Sequence, residues 1–465
     1  MTKKLGLLTL GLTAALIAGC AAPAAPAAPA APAAPAEQAT AAPAAPAAPA
    51  GGVTELTIWW AEWDPANYLQ ELANDYEKEK GIKVNVVQEP WGSYYNKVTA
   101  EWAAKGTGYD MVVGDSQWLG QAATQGHYLD LTDFMKEKGL DKTVTPATLL
   151  YYGTYDGKYW AFPTEGDALG WAYRKDLFED PAEKEAFKAK YGYELDVPKD
   201  LLQLRDIAEF FTRPEKNLYG IAVYTQKDYD AITMGAQNFI FNFGADWKND
   251  KFEVEGVLNT EDAAKALELY RELYTKFMPP GLSNAFFQEM NDAFISGQAV
   301  MITNYFAFFP ALVNPQTNPN YYDKVGFFST PPGPGGAQYA SLGGQGISVN
   351  AYISPERQQA AKDFIEWFAS KPVQEKWAAL GGYTCNIEVL NSDTFKKATP
   401  YNPAFAETMN FVKDFWNIPE FGDLLVVSQR ELSKFIVEGQ GTAKEALDNI
   451  AREHTEILKK AGYLK

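Results

Sequence analysis

Leu56-Thr57-Ile58-Trp59-Trp60-Ala61-Glu62-Trp63-Asp64 opens the folded part of the chain with a β-like run that ends in rings and acids. Beyond it, Leu69, Leu72, Ala73 and Tyr76 recur at helical spacing until Gly81 stops the pattern. Residues 82–87 read as the next strand and lead into Glu89-Pro90-Trp91. A helix over 94–105 closes at Gly106, and a third strand over 109–113 leads into Asp115-Ser116-Gln117-Trp118. The helix over 118–125 then stops at Gly126. This β-α-β-α-β order implies an α/β fold with a parallel sheet and right-handed crossovers. In such sheets ligands sit beyond the carboxyl ends of the strands, which is where all three ring-and-acid clusters fall. Rings can cover the C–H faces of a sugar while carboxylates and amides take its hydroxyls.

At 465 residues the chain exceeds one ordinary core, so two domains are expected. Hydrophobic residues make up 46% and aromatic residues 14%, enough to bury both. The formal charge is -18, and removal of Lys3 and Lys4 with a leader makes the body more acidic still. That charge disfavours nucleic acid and anionic membrane surfaces as partners. With Cys20 assigned to processing, Cys385 has no intramolecular mate, so no disulfide framework exists. His127 and His454 have no partner at metal-ligand spacing, which argues against a metal site and against a His-dependent triad. No Walker-type loop is present, and no cofactor is implied.

The first segment reads as an address. Lys3-Lys4 and the apolar stretch 5–18 form the n-region and h-region of a secretory signal too short for a comfortable membrane span. Ile17-Ala18-Gly19-Cys20 resembles a bacterial lipobox, which makes residues 1–20 a lipoprotein signal peptide and Cys20 the lipid-bearing N-terminus. The Ala/Pro-rich stretch 21–52 favours extended polyproline II backbone and serves as a tether. The expected location is therefore the cell surface or periplasm, with the protein anchored through Cys20.

Downstream the patterns are mostly helical: 201–211, 263–277, 286–295 and a C-terminal helix over 431–460. Strand candidates at 220–224, 299–303 and 325–328 would supply a small second sheet. Pro331-Pro332-Gly333-Pro334-Gly335-Gly336 is a loop. Gly343-Gly344-Gln345-Gly346 reads as flexible backbone at a crossing, with Gln345 directed to the cleft. Ser354-Pro355 caps a helix whose stripe is Ala361, Phe364, Ile365 and Phe368 and which ends before Pro372.

These last elements resemble the family 1 extracellular solute-binding proteins, the maltose-binding-like receptors of ABC importers. Other segments agree in order, among them Tyr76-Glu77-Lys78-Glu79-Lys80-Gly81-Ile82-Lys83-Val84, Tyr173-Arg174-Lys175-Asp176-Leu177-Phe178, and Phe294-Ile295-Ser296-Gly297-Gln298-Ala299-Val300-Met301. The resemblance implies a two-lobed periplasmic-binding-protein-like fold closing on a ligand, with lobe 1 over 53–164 and 341–371 and lobe 2 over 165–340 and 372–465. It implies a monomer that delivers a carbohydrate to ABC permease subunits. By position it places Trp60, Glu62, Trp63, Asp115 and Trp118 on the first lobe, and Glu165 and Asp167 at the crossing. Tyr224, Trp247, Tyr305, Phe308 and Trp416 are the second-lobe candidates. The chain departs from the family pattern at Asn304-Tyr305-Phe306-Ala307-Phe308, where many members carry Gly-x-Trp, and at Thr384, where a proline is expected.

Two other readings stand beside the receptor. Glu62, Asp64, Glu165 and Asp167 could pair as the acid and base of an extracellular glycoside-processing enzyme, although near pairs arise freely among 59 acidic residues. A receptor for a polyol or another polar solute is the second. For the rings, Trp60, Trp63 and Trp118 follow strand ends, where stacking on a ligand and packing are equally expected. Trp59 and Trp102 read as core, and Trp91 falls toward packing. Asp115 has an equal claim to capping the helix that begins near Ser116.

Overall fold

β1 (Glu55–Ala61) alternates buried and half-buried residues, with Leu56, Ile58 and Trp60 inward, because a strand sends every second side chain to one face. The structure is a computed structural model and describes residues 52–227 and 231–465. The leader, Cys20 and most of the Ala/Pro stretch lie outside the described residues. α1 (Asp64–Lys80) starts with Pro65 in its first turn and ends on left-handed Gly81. It returns the chain to β2 (Lys83–Glu89), which pairs parallel to β1. α2 (Trp91–Ala104) then leads to β3 (Met111–Asp115), parallel to β1 on its other side. The expected β-α-β-α-β unit is present.

This sheet has five strands. Beyond β3 lie Gln345–Val349 and then Phe162–Glu165, each antiparallel to its neighbour. A second, four-stranded sheet runs Val325–Phe328, Leu169–Arg174, Ala299–Tyr305, Tyr219–Ala222. Its three strand candidates from the sequence are all there. The chain passes from one sheet to the other between Glu165 and Leu169, and it comes back between Ser341 and Gln345. The two passages lie side by side: Ala168 bridges Leu342, and the Gly343 N–H donates to the Asp167 carbonyl at 3.0 Å.

The third passage differs from expectation. Pro372 does not mark departure from the first lobe; it sits in the first turn of Lys371–Leu380, where a proline ring is tolerated. That helix packs on α1, with Trp377 at 6.2 Å from Trp60 and 6.5 Å from Tyr68. The chain reaches the second sheet only with Asn402–Thr408, whose Phe405 packs on Phe306 at 5.4 Å. Nor is 431–460 one helix. Phe421–Ile436 and Ala443–Lys460 are separate, because Gly439 and Gly441 take positive φ and Thr442 caps the second helix. Among the described residues no helix is long and apolar enough to cross a membrane, and no group of acids, His and Cys is arranged to hold a metal ion. Cys385 is buried and free.

Candidate functional site

At the carboxyl end of β1 the chain turns out of the sheet. The Glu62 N–H donates to the Glu89 carbonyl at 2.8 Å, which fastens this exit to the end of β2. Trp63 then adopts extended backbone before α1 begins, leaving its ring beside the strand ends. Trp91, the first residue of α2, stands 6.0 Å from Trp63. Beneath them the Tyr94 hydroxyl lies 2.8 Å from the carbonyls of both Trp59 and Val113, holding the ends of β1 and β3 together.

The opposite wall is built from the second sheet. Asn304, near the end of Ala299–Tyr305, accepts from the Tyr224 hydroxyl at 2.6 Å and donates to the Phe287 carbonyl at 2.9 Å. Glu289 reaches back to accept from the Phe286 N–H at 3.0 Å. These bonds fix the start of Phe287–Ile295, so Phe286 and Phe287 are presented together, and Phe287 stacks on Phe308 at 4.3 Å with rings 8° apart. Tyr305 packs closely against the returning passage at Gly343. A Cβ on Gly343 would come within 2.3 Å of its ring, so only glycine admits this approach.

Between the two walls is a cavity of about 220 Å³ lined by Glu62, Trp63, Trp91, Asp115, Asp167, Phe286, Phe287, Tyr305, Phe308 and Gly343. Six candidates from the sequence meet there: Glu62, Trp63, Asp115, Asp167, Tyr305 and Phe308. Asp115 stands at the head of the short helix Ser116–Trp118, yet its side chain makes no capping bond. Asp167 is almost wholly buried. Its Oδ1 accepts from the N–H groups of Ala168 at 2.8 Å and Ala307 at 3.3 Å.

The other candidates lie elsewhere. Trp60 is buried inside the first lobe, and its indole N–H donates to Gln345 Oε1, so neither lines the cavity. Trp118 is buried against Tyr94 and Tyr95 at 5.3 and 5.0 Å. Glu165 sits one layer below, accepting from the Tyr383 N–H at 3.2 Å. Tyr224 backs the wall, 4.9 Å from Phe286 and 6.1 Å from Tyr305. Trp247 and Trp416 face each other at 4.8 Å, with His454 5.0 Å from Trp416, on a different cavity. Of the lining residues, sequence reasoning passed over Phe286, Phe287 and Gly343, and set Trp91 aside as packing. The signal for Trp91 was its place in Glu89-Pro90-Trp91 after a strand end, and the structure leaves it 37% exposed although tryptophan is usually well buried. The Phe286-Phe287 pair at a helix start was a weaker one.

Burial raises both crossing carboxyls. Glu165 is held well above the usual carboxylate range by loss of solvent and then by the charge of Asp167. Asp167 is raised by burial too, against the pull of the N–H groups of Ala168, Ala307 and Phe306. Asp414, to which the Ser116 hydroxyl donates at 2.6 Å, is pushed up to about 6 by burial, and buried His454 is pushed down to about 3.

A carboxyl whose folded pKa exceeds its unfolded value of about 4.3 gives stability that is complete below that value and is lost as pH rises through the folded one. His454 slopes the other way over about pH 3 to 6.5, since the unfolded chain takes up its proton first. Comparing Glu165→Gln with the parent protein cancels His454. Thermal unfolding between pH 5 and 8 should therefore show a flatter profile for Glu165→Gln, by up to about 1.4 kcal/mol per pH unit, with stability at pH 8 equal to or above the parent. An unchanged slope would mean that Glu165 is ionised in the folded protein.

Two α/β lobes joined by passages that lie side by side, with rings and carboxylates from both lobes around one cavity, form a cleft receptor of the periplasmic-binding class. A profile of the bacterial extracellular solute-binding proteins matches residues 60–375, and the chain belongs to that family. A probable ABC transporter-binding protein of Deinococcus radiodurans is 26% identical over 71% of this chain and 75% of its own length. The galactooligosaccharide-binding protein of Bacillus subtilis is 22% identical over 86% of this chain and 88% of its own. Among solved structures, an ABC transporter solute-binding protein from Agrobacterium radiobacter in complex with ribitol superposes with a TM-score of 0.73. It is 26% identical, and the match covers 87% of this chain and 99% of that one.

Proposed function

We propose that the protein is the capture component of a carbohydrate importer. It is tethered outside the cytoplasm through lipidated Cys20, acts as a monomer, and hands a sugar or polyol to the permease without transforming it. The observation that carries this reading is the cavity itself: Trp63 and Trp91 on one lobe oppose Phe286, Phe287 and Phe308 on the other, with Glu62, Asp115 and Asp167 between them. Rings on both sides suit the C–H faces of a pyranose or an extended polyol, and carboxylates accept from its hydroxyls. The relatives that bind galactooligosaccharide and ribitol support the same class.

The mechanism is closure about the passages at 166–168 and 342–344. Ligand first meets the rings of one lobe, and closure adds those of the other, so the closed population rises with occupancy. Asp167, which accepts N–H bonds from Ala168 and Ala307, has its carboxyl held to the second-lobe side of the passage as the other wall approaches.

A thermal-shift panel of sugars, polyols, amino acids and peptides tests the reading. At a ligand concentration a hundred times Kd, the bound sugar or polyol should add about 2.7 kcal/mol to stability and raise the melting temperature by several degrees. Chromatography of the incubated ligand should return it unchanged. A response confined to amino acids or peptides, or the appearance of cleavage products, would overturn the proposal.

A further inference from the structure

The two lobes also meet outside the cavity, along residues 414–421. That segment is fastened to the second lobe: Trp416 packs on Trp247 and His454, Lys413 pairs with Asp246 at 2.6 Å, and Phe421–Ile436 follows directly. From there it reaches across to the first lobe. The Ser116 hydroxyl donates to Asp414 Oδ2 at 2.6 Å, with both side chains buried, and the Asn417 amide donates to the Thr154 carbonyl at 3.2 Å. The Phe421 ring stands 5.8 Å from Tyr95 of α2. Between these contacts the Asn417 backbone runs against Gly120, in the short helix Leu119–Thr124, so closely that a Cβ there would lie 1.8 Å from the Asn417 carbonyl oxygen. None of Ser116, Gly120, Thr154, Asp414 and Asn417 lines the 220 Å³ cavity.

Rotation of one lobe about the passages at 166–168 and 342–344 would part these pairs, whatever the cavity holds. Contacts made in only one of two forms weight the equilibrium toward that form, and a solute then needs less differential affinity to complete the shift. From this placement we propose that Ser116, Gly120, Asp414 and Asn417 form a clasp that weights the lobes toward closure before any solute binds, with Gly120 as the position that admits the second lobe's backbone. They are positioning residues, which bring the aromatic walls together without touching what lies between them. The inference rests on the closure mechanism above and adds to it a contribution independent of the solute.

Gly120→Ala separates a clasp from ordinary packing. Alanine is favoured over glycine inside a helix, so the first lobe by itself keeps its stability, whereas the added methyl meets a backbone carbonyl that cannot swing aside. Small-angle X-ray scattering and urea unfolding of the full-length protein without solute read the two effects apart. The parent profile should require a closed form in its fit. In Gly120→Ala the radius of gyration should rise and the closed-to-open ratio should fall about tenfold or more, as for the loss of one or two hydrogen bonds, with the unfolding midpoint near the parent's. Asn417→Ala, which removes only the bond to Thr154 from a half-buried position, should move the ratio the same way by about threefold. A parent profile that an open form fits alone would overturn the clasp, as would a Gly120→Ala that keeps the parent's radius; a lowered midpoint in that case would assign Gly120 to packing within one rigid body. If Gly120→Ala does not fold, Asn417→Ala decides, and an unchanged ratio overturns the proposal. None of these results touches the carbohydrate reading, which the thermal-shift panel tests by itself.

Discussion

Trp118→Ala should lower the unfolding free energy by about 3–5 kcal/mol, the usual cost of emptying a buried tryptophan site. The side chain is only 1% exposed and is wedged between Tyr94 and Tyr95. On its other side, a Cβ on Gly114 would stand 3.4 Å from the same ring. Neighbours so placed cannot collapse freely, because Tyr94 is committed to the ends of β1 and β3 and the Tyr95 hydroxyl donates to Gln121 at 2.7 Å. Urea unfolding reads the loss as a lower midpoint at unchanged slope. Trp118→Phe should cost under about 2 kcal/mol, since most of the ring remains and Nε1 makes no described hydrogen bond that could be lost. Ligand affinity of the folded fraction should stay near that of the parent. A small stability loss together with a large affinity loss would instead place this ring against the ligand.

Trp118 and Trp63 show where the sequence stops being legible. Both follow the end of a parallel strand, and an acid stands within three residues of each. What separates them is the path of the next few residues: Trp63 precedes α1 in extended backbone, whereas Trp118 is already inside a short helix that rotates its ring inward. No local pattern carries that difference, because it depends on how the helix docks on Tyr94 and Tyr95. One element with its own punctuation was readable to the residue. Leu201–Phe211 is capped by Asp200, whose carboxylate accepts from Leu202 and Gln203, and it buries Leu204, Ile207 and Phe211 at helical spacing. The C-terminal helices show the opposite case. Their apolar spacing runs across the break, which Gly439, Gly441 and the Thr442–Glu445 capping box mark and the periodicity reading overlooked.

The second lobe was least legible for a related reason. Trp247 and Trp416 are large rings in the lobe where rings were wanted, yet they serve each other and His454. The wall was made instead by Phe286 and Phe287, which Asn304 and Glu289 hold in place through contacts 17 and 3 residues away in sequence. The first lobe's strand ends announce their site because parallel strands converge there. The second lobe brings its wall from a helix start, and nothing in its periodicity points toward the cleft.

Replacing Trp63 by alanine should weaken the bound sugar or polyol about 30- to 150-fold, the equivalent of roughly 2–3 kcal/mol for a stacked ring removed from water. Trp63 is half-buried and lines the cavity, with its neighbours Trp60 and Trp91 at 5.6 and 6.0 Å. Its loss therefore opens a wall rather than a sealed core. Trp60 stays anchored by its bond to Gln345 and its stack on Trp377, so the fold beneath is kept. The unfolding midpoint should fall much less than in Trp118→Ala, and the contrast between the two variants is the test. Calorimetric titration with the ligand found in the panel, alongside urea unfolding, measures both quantities on one preparation. Trp63→Phe should recover part of the affinity, because a smaller ring still covers a C–H face. If Trp63→Ala instead binds as the parent does, the ligand does not stack on Trp63, and Trp91 is the only ring of the first-lobe wall left to face it among the lining residues.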